Sequence, residues 1–471
     1  MKEHLLPLYH ALPYSLKVAA ATAWGYYLRW WRYGPETEHL VAEALERETW
    51  SAEKWKSWQE DRLAYILHRA VTKVPYYRQL WAQRRQHGDS SSWEYLENWL
   101  ILEKEPLRQH PAAFVADDCH RKKMFESHTT GTTGTPVRVW LSQATLRAWY
   151  ALFEARWRRW YGVSFHDRWA HLGGQLVTSA TKRQPPFWAW NSAFNQLYMS
   201  SYHLAPDLIP YYLDALKKYK IKYLFGYPSS LYPLALEALR PKDNSLKMTV
   251  ALTDGEPLFD YQRQTIAAAF QCPAYETYGM AETAIAASEC GAQGLHLWPE
   301  AGILEVFEKG CAVAQGHPGD FILTSLLNPD MPLIRYRVGD RGALLNESKR
   351  CLCGRSLPRL ASLEGRSDDV LYTVDGRKIG LRLSQVLKGQ PVVEGQFIQE
   401  SLTKIRLRYV PAADFTDQAA EFIIAKLQER MGPVEVIFEP VGKIPRGPNG
   451  KFRAVVCNLS SEEKEKLQGS H

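Results

Sequence analysis

The chain has 471 residues, 45% of them apolar and 23% charged, which fits a soluble globular protein of two to four domains with a full-sized core. Its net charge of +7 is spread along the chain, which suits an anionic small-molecule ligand and gives no sign of a dedicated nucleic-acid surface. Seven cysteines, an odd number with a close C-L-C pair and no cleavable signal sequence, argue for a reducing cytoplasm and against a disulfide framework.

Residues 1–110 read as helical and aromatic-rich, with Trp24, Tyr26, Tyr27, Trp30, Trp31 and Trp50 set among Lys17, Arg29 and Arg32. The apolar stretch 18–28 is far too short to span a bilayer. Its aromatics either pack on the main domain or form an interfacial helix, with Trp and Tyr at headgroup level and peripheral membrane contact. From about residue 124 strand-like runs near 222, 248 and 321 sit between helical stretches at 208–218 and 261–270, the alternation of α/β layers. After Gly365 the pattern changes to strands at 396–399, 404–410 and 434–438 with a helix at 419–431. The predicted fold is α/β. A helical region (1–110) packs on a large multi-layer core (111–365), followed by a small α+β C-terminal domain (366–471).

Five polar motifs punctuate these elements. They are S-H-T-T-G-T-T-G-T-P (127–136), Y-E-T-Y-G-M-A-E (275–282), R-Y-R-V-G-D (335–340), G-R-S-D-D (365–369) and P-R-G-P-N-G-K (445–451). The first is no Walker loop, since G-x-x-x-x-G-K-[ST] is absent. Gly131 and Gly134 let successive N–H groups turn toward an anion, and Thr129, Thr130, Thr132 and Thr133 add hydroxyl donors. The same segment also reads as a Thr-rich hairpin.

In this order the motifs resemble the adenylate-forming superfamily of acyl-CoA synthetases, luciferases and peptide-synthetase adenylation domains, over roughly residues 60–460. The phrases at 67–78, 225–231, 253–258, 294–300 and 394–400 are similar to the phenylacetate-CoA ligase and CapK-like subgroup. The resemblance implies an ATP-dependent, AMP-forming ligase that activates a small-molecule carboxylic acid as its acyl-adenylate. CoA is the leading acceptor; transfer of acyl or AMP to a hydroxyl or amine, and a catalytically silent ligand-binding homologue, are the alternatives.

Residue roles follow from the resemblance and the chemistry. The loop Thr129, Thr130, Gly131, Thr132, Thr133 and Gly134 would grip phosphates. Gly255, Glu256 and Pro257 would form one wall of an adenine slot, with Tyr278 and Gly279 opposite. Asp340 would accept from both ribose hydroxyls, Arg366 would reach ribose or phosphate, and Glu282 would hold Mg²⁺. Asp368 would be the pivot of a mobile lid domain carrying Lys451 to the phosphates. Tyr227, His203 and Ala281 are placed near the acid.

Two departures stand out. Val137 follows the loop proline where the wider superfamily often has Lys, which shifts phosphate charge onto Mg²⁺ and Lys451. Ala281 stands where Thr or Ser is usual, so either Thr283 or a backbone N–H takes the α-phosphate contact, or that contact is weak.

Cys290, His296, Cys351 and Cys353 supply three thiols and an imidazole, the ligand types of a closed structural Zn²⁺ site. Their spacing is looser than a zinc-finger signature and also suits buried, idle thiols. Similar positions in relatives of the subgroup favour zinc, which would clip the loop after the Tyr278 motif to the segment leading into the hinge.

Overall fold

The computed structural model describes residues 6–129, 136–174, 177–179, 181–240, 246–346, 350–366, 370–375, 377–379, 386–387, 389–412, 414–447, 450–460 and 462–463. The N-terminal region is helical, with Leu6–Ala11, Tyr14–Arg32 (α1), Thr37–Arg47, Ala52–Lys73, Pro75–Gln86 and the short Lys104–Gln109 (α2). Ser51 starts Ala52–Lys73 by accepting from the Lys54 amide. Pro75 opens the next helix at a first-turn position, where a missing N–H costs nothing.

The α1 helix divides its aromatics between two environments. Trp31 is buried against Phe125, ring centroids 5.7 Å apart, and the Arg32 guanidinium lies 4.4 Å from the Tyr150 ring centroid. Trp24, Tyr26, Tyr27 and Trp30 face solvent, 44–57% exposed. Among the described residues no helix is long and apolar enough to cross a membrane.

Thirteen strands among the described residues form one mixed sheet. Its parallel part is Gln196–Ser200, Trp169–Gly173 (β1), Tyr223–Gly226 (β2), Val250–Thr253 (β3) and Ala274–Gly279 (β4), in that spatial order. Every residue of β2 and β3 is buried; helices cover both faces of such strands, so they read as continuous apolar runs without alternation. The sheet turns antiparallel at β4, which pairs with Ala286–Glu289, and continues through Leu295–Leu297 (β5) to Arg359–Arg366 and Tyr336–Leu344. In chain order these last two are β6 (Tyr336–Leu344) and β7 (Arg359–Arg366). Open α/β sheets bind ligands outside the carboxyl ends of their parallel strands, and residues 254–257 and 280–282 follow the carboxyl ends of β3 and β4.

The C-terminal module has its own four-stranded sheet, ordered Glu435–Pro440, Lys404–Pro411, Val392–Ser401, Val455–Cys457. The helix Asp417–Met431 closes one face over Phe397, Ile405, Leu407, Ile423 and Leu427. The three-residue strand Val455–Cys457 has no periodicity of its own to read; it is defined by parallel pairing with Val392–Ser401.

Candidate active site

A cavity of about 350 Å³ lies at the carboxyl ends of β3 and β4, with the C-terminal module forming part of its wall. Residues from separate motifs converge on it. They are Gly255, Glu256 and Pro257 after β3, Tyr278, Gly279, Ala281 and Glu282 at and after β4, Asp340 in β6, Arg366 at the end of β7, Thr129 and Lys451. Thr130, Gly131, Thr132, Thr133, Gly134 and Asp368 lie outside the described residues. The loop's flanks, Phe125–His128 and Arg138–Leu141, pair as an antiparallel hairpin. Thr129 closes it, donating its N–H to the Val137 carbonyl at 2.9 Å and accepting the Val137 N–H on its hydroxyl at 2.9 Å.

The Tyr278 hydroxyl donates to Asp340 Oδ2 at 2.7 Å, joining two motifs 62 residues apart. Asp340 is also the register partner of Arg366 across β6 and β7. Arg366 Nε is buried and has no hydrogen-bond partner among the described residues, where most buried polar groups have one. Glu282 is 5% exposed and accepts from the Tyr336 hydroxyl at 3.4 Å. Burial raises its carboxyl pKa, while backbone hydrogen bonding and the Lys104 ammonium pull it down.

Lys451 comes within 5.8 Å of the Tyr227 ring centroid. Gly255, at φ +71°, permits this approach, since a Cβ there would stand 2.9 Å from Lys451 Nζ. Beside them the Asp254 carboxyl is pushed up to about 6, chiefly by burial, with Lys451 opposing and Glu256 adding to the rise.

Three of the lining residues to which the motifs assign no role carry charge into the cavity wall. Lys104 and Arg108 both line the cavity and sit at i and i+4 of α2, hence on one helix face. The helix is set by backbone pairing just before it, where the Leu102 N–H donates to the Arg335 carbonyl and the Arg337 N–H to the Leu102 carbonyl, both at 2.9 Å. The signal was the K-x-x-x-R spacing, but nothing local says which face a six-residue helix turns inward.

The third is Glu276. Burial first, then the neighbouring Glu289 carboxylate, pushes its carboxyl up to about 7 from 4.5. The folded state therefore holds this proton more tightly than the unfolded chain. The associated stability is full below pH 4.5 and is lost as pH rises through about 7. Glu276→Gln should equal wild type at pH 4.5 and exceed it at pH 8 by about 1–3 kcal/mol. Denaturant titrations at the two pH values check this, and an equal offset at both would contradict it.

Other expected residues stand off the cavity. His203 is 3% exposed, with Nδ1 3.0 Å from Ser200 Oγ, Nε2 2.9 Å from the Ser179 carbonyl and its ring stacked on Phe187. Both ring nitrogens are thus engaged in the core. Tyr227 caps the start of the helix Pro228–Leu239 (α3) and faces the Lys451 side. Thr283 is buried at φ +55° and is not among the lining residues.

The cysteine constellation is assembled by sheet register. His296 in β5 pairs with Arg359 in β7, which carries the 290–296 loop to the 351–358 segment. The ligand atoms of Cys290, His296, Cys351 and Cys353 all lie within 4.8 Å of one another. Cys290 Sγ is 3.6 Å from Cys351 Sγ, and Cys353 Sγ 3.3 Å from His296 Nε2. Zinc bonds of about 2.0–2.3 Å fit such a cluster after small side-chain movements. His296 Nδ1 lies 3.0 Å from the Leu357 carbonyl, which orients Nε2 toward the thiols. A Cβ on Gly294 would meet Cys351 Sγ at 3.1 Å and His296 Nε2 at 3.4 Å. The donor set therefore fits Zn²⁺. If it binds, Cys351→Ser lowers zinc content below about one ion per chain and the melting temperature by about 5 °C or more. Metal analysis with calorimetry tests this; metal-free wild-type protein would refute it.

A family model described as AMP-binding enzyme matches residues 56–307, and one described as CapK C-terminal domain matches residues 371–458. Protein CapK of Staphylococcus aureus is 25% identical over 76% of this chain and 79% of its own length. Phenylacetate-coenzyme A ligase of Thermus thermophilus is 24% identical over 87% of this chain and 98% of its own. The solved 2-hydroxyisobutyryl-CoA ligase in its postadenylation state, bound to 2-HIB-AMP, superposes with TM-score 0.68 at 20% identity, covering 90% of this chain and 94% of that one. The same ligase in its thioesterification state gives 0.52.

Proposed function

Because this chain belongs to the AMP-binding, adenylate-forming enzyme family and ends in a CapK-type C-terminal domain, we propose that it activates a carboxylic acid with ATP and passes the acyl group to CoA. The observation that carries the proposal is the meeting of Lys451 with the Tyr278–Asp340 pair and Glu282 in one cavity. Gly255 and Pro257 would flank the adenine with Tyr278. Asp340 would hold the ribose diol and Arg366 would donate to ribose or phosphate.

The substrate carboxylate attacks the α-phosphorus, and the bond from that phosphorus to the bridging oxygen breaks. Its electron pair leaves with pyrophosphate. No covalent enzyme intermediate is needed; positioning and fixed charge carry such a step. Lys451 stabilises the charge that builds on the phosphates. Lys104 and Arg108, on the Glu282 side, offer cations where Val137 offers none. Mg²⁺, held through Glu282, would supply further charge neutralisation. The module 366–471 would act as the lid, and the Cys3His cluster would be a structural zinc clip remote from the chemistry.

Phenylacetate and 2-hydroxyisobutyrate, acids named by the relatives, head the test. A pyrophosphate-release screen over aryl, fatty and hydroxy acids, with and without CoA, is expected to show release confined to one acid class and AMP formation stimulated by CoA. No release with any acid would leave a fold that binds ligand without turnover.

A further inference from the structure

We propose that Glu256 is the docking point that holds the C-terminal module in the orientation presenting Lys451 to the cavity. This positioning role rests on the adenylate-forming reading and differs from that of an adenine wall. The two oxygens of its carboxylate are divided between the two halves of the protein. Oε2 accepts the Ser229 N–H at 3.1 Å, in the first turn of α3. Oε1 accepts the Phe452 N–H at 2.6 Å, and Phe452 is the residue after Lys451.

The sequence of α3 explains the first half of this contact. Its first residue, Pro228, has no N–H, and the Ser230 and Leu231 N–H groups donate to the Tyr227 carbonyl, so the Ser229 N–H is the first-turn donor that needs an acceptor from outside the helix. A carboxylate at that position also meets the positive end of the helix dipole. Glu256 is therefore seated on the body by an interaction that does not depend on the module. Its second oxygen is then pre-aimed to receive one amide from the module, as a charge-assisted bond.

The second half is specific to one orientation. Gly450, at φ +72°, fits against the body so closely that a Cβ would lie 2.7 Å from Gly174 Cα and 2.7 Å from Ser201 Oγ. Lys443 Nζ donates to the Tyr202 carbonyl at 2.7 Å, and Arg446 Nη2 reaches the Ser229 carbonyl at 3.4 Å. Of these hydrogen bonds, the Glu256–Phe452 bond is the one next to the lysine. A module rotation that withdraws Lys451 also withdraws the Phe452 amide, while Glu256 keeps its place on Ser229. Loss of this bond should therefore tilt the module away from the adenylating orientation, beyond any effect on nucleotide contact.

Two measurements on the full chain test the assignment. Hydrogen–deuterium exchange at the Phe452 amide should quicken about tenfold or more in Glu256→Ala, with Asp417–Met431 and Val392–Ser401 unchanged as the control for folding. The ratio of the adenylation rate to the rate of thioester formation from supplied acyl-adenylate, using an acid active in the screen, should fall by a similar factor. Glu256→Gln, which keeps an acceptor oxygen, should recover part of both. Unchanged exchange at Phe452 would overturn the proposal. Faster exchange with equal loss in both half-reactions, or loss matched by weaker AMP binding, would overturn it in favour of an adenine-wall role. A wild-type protein that forms no adenylate from any acid defeats the functional reading itself, an outcome read by the pyrophosphate-release screen and independent of the exchange at Phe452.

Discussion

Lys451→Ala should slow adenylate formation on the order of 10²–10³-fold, the usual loss on removing one preorganised donor to developing charge. Thioester formation from a supplied acyl-adenylate should remain largely intact. The asymmetry follows from position. Lys451 belongs to the C-terminal module and reaches the cavity wall beside Gly255 and Tyr227, so it serves a step that needs this module orientation. Separate assays of the two half-reactions read the effect. Equal loss in both would mean that the lysine supports the site as a whole and has no role confined to the phosphates.

Asp340→Ala should raise the KM for ATP about 10–100-fold, corresponding to loss of charge-assisted bonds worth about 1.5–3 kcal/mol. It has a second consequence within the protein, because the Tyr278 hydroxyl loses its 2.7 Å acceptor. Asp340→Asn keeps an oxygen for Tyr278 while removing the charge that suits a diol, and should fall between. Direct titration with AMP, which has the ribose without the β and γ phosphates, should show the same ranking. An unchanged AMP affinity in both variants would remove Asp340 from the nucleotide site.

Much of this arrangement was legible because chemistry at the edge of a parallel sheet is written in short polar phrases. D-G-E-P after β3 and Y-G-M-A-E at β4 are loops whose residue types have little structural reason to be there. The buried strands before them announce themselves as apolar runs. Lys104 and Arg108 were not legible, since their placement depends on the Leu102 pairing with β6, a contact more than 200 residues away in the chain. The contacts of His203 were not legible either: its two nitrogens lie at hydrogen-bond distance from Ser200 and Ser179, pairings that depend on how the 177–179 segment folds back on residues 200–203. The aromatic N-terminal helix could not be sorted from composition, because α1 buries Trp31 and exposes Trp30, adjacent residues on different faces. The Cys3His cluster was legible as a ligand set but not as a site, since the register of β5 with β7 closes the 61-residue gap between Cys290 and Cys351.

The central claim is that a carboxylate oxygen attacks the α-phosphorus of ATP. It is tested most directly by supplying an acid from the screen with both carboxylate oxygens as ¹⁸O and analysing the AMP released after transfer to CoA. An acyl-adenylate route leaves one carboxylate oxygen on the phosphate, so AMP should carry a single ¹⁸O. Thioester formed alongside unlabelled AMP, or alongside ADP and labelled inorganic phosphate, would contradict the account.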